Sequence, residues 1–220
     1  EEAAAENAAI PHRIGISVTA TANTVAGGPF NVTATIGAFT ATFVLTNTAG
    51  APASVSVVSG TPQSAAVSAA FGAPLIVVVR DAFGNPVAGR TVTFTAPATG
   101  ASAVLSAPVV TNAAGQAQVT ATANATPGGP YSVTASTAGV TTPATFALTN
   151  TAGAPASIAT VSGTPQTTVV RTAFGQPLVI VVRDSANNPV PGVVVTFTAP
   201  STGASAAFTG STTTNASGQV

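Results

Sequence analysis

Thr91-Val-Thr-Phe-Thr-Ala-Pro97 is the stretch on which the fold turns. Val92 and Phe94 alternate with three threonines, a period of two that puts the apolar side chains on one face of an extended chain and the hydroxyls on the other. Toward the N-terminus, Leu75-Ile-Val-Val-Val79 is a continuous apolar run ending at Arg80-Asp81, as a central strand covered on both sides requires. Between the two lies turn chemistry, Asp81-Ala-Phe-Gly-Asn-Pro86, in which Gly84 can take positive φ and Pro86 fixes the exit. Toward the C-terminus, Val104-Leu105 and Val109 are short edge segments. Asn112-Ala-Ala-Gly115 then turns into alternating segments at 116–124, 131–136 and 145–149.

The stretch recurs. Val92 to Pro97 returns as Val195 to Pro200, Ser59-Gly-Thr-Pro-Gln63 as Ser162 to Gln166, and Thr48-Ala-Gly-Ala-Pro-Ala-Ser54 as Thr151 to Ser157, a displacement of 103 residues (151 − 48). In the other direction Val119-Thr-Ala-Thr-Ala-Asn124 matches Val18 to Asn23, and Gly128-Gly-Pro130 matches Gly27 to Pro29, displaced by 101 (128 − 27). A fixed period held over that many positions marks a tandem module. The expected organisation is an arm over 1–14, a partial module over 15–47 carrying the last three strands, a complete module over 48–150, and a partial module over 151–220 carrying the first strands. The two partial copies together make close to one module.

About seven short strands in roughly 100 residues, with turns at regular spacing, predict an antiparallel β-sandwich of the immunoglobulin type. The fold class expected is therefore all-β, with tandem immunoglobulin-like sandwiches, one complete and two complementary partial ones. Arg80-Asp-Ala-Phe-Gly-Asn-Pro-Val87, Thr91-Val-Thr-Phe-Thr-Ala-Pro97 and Thr111-Asn-Ala-Ala-Gly-Gln116 resemble the bacterial immunoglobulin-like repeats of the invasin and intimin type. The resemblance implies tandem sandwiches on bacterial surface proteins that serve as rods or adhesin stalks. The tyrosine corner of many such sandwiches is absent: the only tyrosine is Tyr131, and its counterpart is Phe30.

Composition excludes several functions. Charged residues make up 5% of the 220, lysine is absent and the formal net charge is zero, where an ordinary soluble domain has about 25% charged residues. Nucleic acid and anionic membrane surfaces, which need clustered cations, are not expected partners. Mean hydropathy is +0.50, yet it arises from Ala and Val alternating with Thr and Ser, and no apolar run reaches the length of a spanning helix. Without cysteine there is no disulfide framework. Without lysine a Lys–Asn isopeptide crosslink cannot form. The chain opens on Glu1-Glu2 with no initiator Met, as expected of a processed mature terminus or of an excerpt, and the expected setting is a cell surface or outside the cell, with any secretory signal removed.

Catalysis needs convergent titratable groups. The acids are Glu1, Glu2, Glu6, Asp81 and Asp184, and the last two occupy one module position, each after an arginine at a strand end, where a structural turn contact is the expected role. His12 is the only histidine, and no second ligand accompanies it. Clustered carboxylates for Ca²⁺ are lacking. The pairs Gly27-Gly28 and Gly128-Gly129 precede proline in hairpins and not a helix, which argues against a phosphate cradle. Asn31-Val-Thr, Asn124-Ala-Thr and Asn215-Ala-Ser fit the glycosylation pattern, as chance matches do in a threonine-rich chain. No enzyme activity, cofactor or metal is expected.

The expected function is structural. Three strands without a facing sheet cannot offset an ordering cost of about 1–2 kcal/mol per residue, so Ile16, Val18, Ala20, Phe30, Val32, Ile36, Phe43 and Leu45 form an expected donor surface. Ile158, Leu178, Ile180, Val182, Val195 and Phe197 form the matching acceptor. The complete module holds the two partial ones about 30–40 Å apart, judged from strand length, which disfavours closure within one chain. Copies of this chain, joined head to tail, are the expected partners, and a non-closing contact of that kind makes a filament. The alternative is a stalk segment of a long adhesin or invasin-like surface protein.

Overall fold

A computed structural model describes residues 18–220, and all regular structure among them is β. The arm over 1–14, with His12, and donor residue Ile16 lie outside the described residues. The chain divides into two compact units, the first ending at Thr48 and the second running Ala49–Val220.

In the first unit, β1 (Gly27–Ile36) and β2 (Phe39–Asn47) form one antiparallel hairpin around Gly37. Phe30 faces Leu45 and Val32 faces Phe43, and a register shift lies between Gly27 and Phe30. Three strands were expected here, but residues 18–26 form none. Their counterparts one repeat later, Val119, Ala121 and Ala123, are held as strands by neighbours that the first unit does not contain, so Val18 and Ala20 are exposed.

The second unit begins with a two-layer sandwich. One sheet orders β3 (Pro52–Ser59), β5 (Leu75–Asp81) and β9 (Gln116–Val119) with β5 central. The other orders β4 (Gln63–Ala66), β12 (Ala144–Thr151), β11 (Gly128–Thr137), β6 (Thr91–Thr95) and β8 (Val109–Val110), while β7 (Ala103–Leu105) pairs with β10 (Ala121–Ala123). The chain switches sheets between β3 and β4 at Gly60-Thr-Pro62, as the turn there anticipates. Pairing is antiparallel throughout the described strands except β4 against β12, which is parallel. Alternation sets the core: Leu75, Val77, Val79 and Val119 from one layer meet Val92, Val133, Phe146 and Leu148 from the other, all buried. Phe94 stacks on Phe146 with ring centroids 6.0 Å apart.

After Thr151 the chain repeats the first layer. β13 (Ser157–Ser162) and β14 (Val179–Arg183) pair as β3 and β5 do, with Ile158 opposite Val182 as Val55 is opposite Val79. Val195 and Phe197, expected in a strand, form no ladder: the only pairing nearby is a single bridge of Val194 to Thr213. The reason is visible one repeat earlier, where Val92 and Phe94 take their register from β11. Phe197 rests on Phe208 instead, centroids 5.9 Å apart.

Candidate assembly interface

Two half-built surfaces carry most of the exposed large apolar residues. The hairpin β1–β2 is a copy of β11–β12 in register and irregularity: Gly27 pairs with Asn47 as Gly128 pairs with Asn150, Phe30 with Leu45 as Tyr131 with Leu148, and Val32 with Phe43 as Val133 with Phe146. The side-chain contacts at its base are copied too. Asn47 Nδ2 donates to Asn23 Oδ1 at 3.0 Å and to the Val25 carbonyl at 3.1 Å, as Asn150 Nδ2 donates to Asn124 Oδ1 at 2.9 Å and to the Thr126 carbonyl at 3.1 Å. One contact is beyond the copy's side chains. Tyr131 donates its hydroxyl proton to Asn150 Oδ1 at 2.8 Å, and Phe30 has no hydroxyl to offer.

Burial separates the original from the copy. Val133 and Phe146 show no exposed surface, whereas Val32 is 42% and Phe43 56% exposed. Phe30 and Ile36 are likewise exposed and Leu45 is half-buried. On the opposing half-module, Leu75 is fully buried and its counterpart Leu178 is 45% exposed. Ile158 is exposed, Ile180, Val195 and Phe197 are half-buried, and Val182 alone among the expected acceptor residues is buried, because β13 and the turn to Val190 cover it.

The acceptor half is nonetheless shaped. Gln166 Nε2 donates to the Gly163 and Gln176 carbonyls at 2.7 and 2.9 Å and its Oε1 accepts from Gln176 N at 2.7 Å, reproducing the clamp that Gln63 makes with Gly60 and Ala73. Thr214 Oγ1, buried, accepts from Val193 N at 2.8 Å and donates to the Val190 carbonyl at 2.8 Å, the counterpart of Thr111 between Arg90 and Val87.

The two aspartates do the turn work anticipated for them. Asp81 accepts from the amides of Gly50, Phe83 and Asn85 and from Asn85 Nδ2, all between 2.8 and 2.9 Å. The Asn85 side chain first, then the Gly50 amide, lower its pKa from 3.8 to about 2. Asp184 has the same partners one repeat on. Burial pushes its pKa up, but the Asn188 side chain and the amides of Gly153, Asn188 and Ala186 outweigh that and leave it lowered. Among the described residues no group of three or more His, Cys, Asp or Glu side chains could hold a metal, and no helix is long and apolar enough to cross a membrane.

What fold and surfaces define is an all-β array of immunoglobulin-like sandwiches. Residues 73–149 match the family model of the bacterial Ig-like domain (group 1). All three phrases that carry the resemblance lie inside that match. Solved structures of similar fold include the following three. The Escherichia coli adhesin FdeC is 22% identical, with 70% of this chain and 48% of that one covered and a TM-score of 0.44. InvD of Yersinia pseudotuberculosis is 18% identical, with 72% and 49% covered and a TM-score of 0.45. Domains 4–9 of the surface layer protein SbsC are 23% identical, with 78% and 26% covered and a TM-score of 0.35. The chain thus spans about half the length of the FdeC and InvD chains it matches. No curated protein matches it in sequence.

Proposed function

We propose that this chain is a non-enzymatic structural segment of a bacterial cell-surface or extracellular fibre, made of immunoglobulin-like modules over 15–47, 48–150 and 151–220, and that its open halves are completed by strand complementation between copies. One observation carries the reading: hairpin β1–β2 already has the register of β11–β12 while its apolar face is exposed, and residues 157–220 lack that same hairpin. The occupant of the acceptor is accordingly the Gly27–Asn47 hairpin of a second copy. Transposing the pairing of β11 with β6 puts Ala34 opposite Phe197 and Ile36 opposite Val195; transposing that of β12 with β4 puts Leu45 opposite Gln166. Each Val or Phe so buried contributes about 1.5–3 kcal/mol, and the main chain adds a ladder on both edges of the hairpin. The contact is heterologous and does not close, so it propagates head to tail.

A second reading is favoured by the family match over residues 73–149. Such modules, by their resemblance to invasin-type repeats, serve as stalks in long surface polypeptides, and neighbouring repeats of one chain then complete the same halves. Electron microscopy and size exclusion on the 220-residue chain and on a variant lacking 1–47 separate the two. Filaments from the intact chain that vanish in the truncated one support completion between copies. Monomers from both, with residues 48–150 alone resisting protease, leave the stalk.

A further inference from the structure

Within the second unit, the chain leaves the sandwich at Thr151, the last residue of β12 and still paired with Ala66, and enters the following half-module through Ala152-Gly153, a step that hydrogen bonds bracket from both sides. On the sandwich side, Asn150, 2% exposed, bonds through its amide to Asn124 and to the Thr126 carbonyl. These two contacts fix the residues on either side of Ala125. Asn124 is tied further to Ser102 N at 3.2 Å and to the Gly100 carbonyl at 2.8 Å. On the other side, Gly153 N donates to Asp184 Oδ2 at 2.9 Å, and Asn188 Nδ2 donates to the same oxygen at 3.0 Å. The link across is Asn188 Nδ2 donating to the Ala125 carbonyl at 2.9 Å.

These contacts close a ring: Asn150 to Gly153 along the chain, Gly153 to Asp184, Asp184 to Asn188, Asn188 to Ala125, and back through Asn124 to Asn150. We propose that Asp184 and Asn188 are the latch of this joint, holding the half-module at one angle to the sandwich without a bound metal. A short connection free of side contacts swivels about its φ and ψ angles. A ring with a buried member at one end and a carboxylate accepting charge-assisted bonds at the other removes that freedom. Space agrees, since a Cβ on Gly153 would lie 3.3 Å from Asp184 Oδ2 on one side of the joint and 3.5 Å from Val67 Cγ2 on the other, so the two sides meet closely at this residue. The inference rests on contacts within one chain and holds whether or not copies assemble.

The chain has no cysteine, so spin labels can be placed cleanly at Thr93→Cys in the sandwich and Thr160→Cys beyond the joint, both on exposed strand positions. Dipolar distance measurements on the full chain, in the monomer fraction, should give a single narrow peak. Asn188→Ala should lose that peak while the melting temperature of the sandwich stays put, because Asn188 lies outside its core. Asn85→Ala, which removes the same turn contact one repeat earlier, is the control and should keep the peak. A broad distribution in the unaltered chain, or a narrow one that survives Asn188→Ala, overturns the latch.

Discussion

Phe43 and Phe146 hold the same place in two hairpins of matched register, yet Phe146 stacks on Phe94 inside the sandwich with no exposed surface and Phe43 is 56% exposed. One local structure therefore serves as core in one setting and as unsatisfied surface in the other. The difference is a measurable asymmetry. Phe146→Ala should destabilise the sandwich by about 3–5 kcal/mol in a denaturant titration. Phe43→Ser should leave that transition where it is and abolish assembly in size exclusion. An unchanged assembly state in Phe43→Ser would argue against the hairpin as donor.

Acid should weaken the sandwich through Asp81. Its pKa is about 2 in the folded protein and 3.8 ordinarily, a depressed value, so its contribution is complete above about pH 4 and fades as pH falls through 2. Asp81→Asn should flatten this limb of the stability curve between about pH 4 and 2. Melting temperatures of both proteins across that range, converging at the acid end, are the expected outcome.

Thr111 is buried, accepts from Arg90 N at 2.9 Å and donates to the Val87 carbonyl at 2.7 Å. Thr111→Val keeps the shape and strands both backbone groups, which should cost about 1–3 kcal/mol. Thr111→Ser should recover most of the loss, since the hydroxyl returns. A Thr111→Val variant as stable as the native chain, with the loss falling on Thr111→Ser, would point to packing by the methyl group instead.

Gly115 has φ +70°, and a Cβ there would meet the Val79 carbonyl oxygen at 2.7 Å and Val87 N at 3.0 Å. Gly115→Ala should therefore destabilise through both strain and overlap, by about 1–3 kcal/mol from the backbone conformation alone. Gly89, also at positive φ (+72°) but with nothing within 4 Å of its Cβ, isolates the conformational part. Gly89→Ala should cost less than Gly115→Ala in the same thermal unfolding assay.

Much of this was legible in the chain itself. Alternation at Val92 and Phe94, the apolar run at 75–79 and the turn residues at 81–86 determine strands and turns because they are local, depending on which side chains share a face and which φ angles the backbone can take. The repeat likewise made the hairpin at 27–47 predictable from its match to 128–150. The Asp81 and Asp184 turns were legible for the same reason. The tertiary structure alone decided which of these segments become ordered strands. Residues 18–22 and 195–197 have the pattern of their counterparts but not their pairing, since a ladder hydrogen bond needs a second strand that no local pattern supplies. Nor could the ring at Thr151 to Gly153 be read from sequence: it brings together positions 125, 150, 153, 184 and 188, and only the folded chain sets the distances among them.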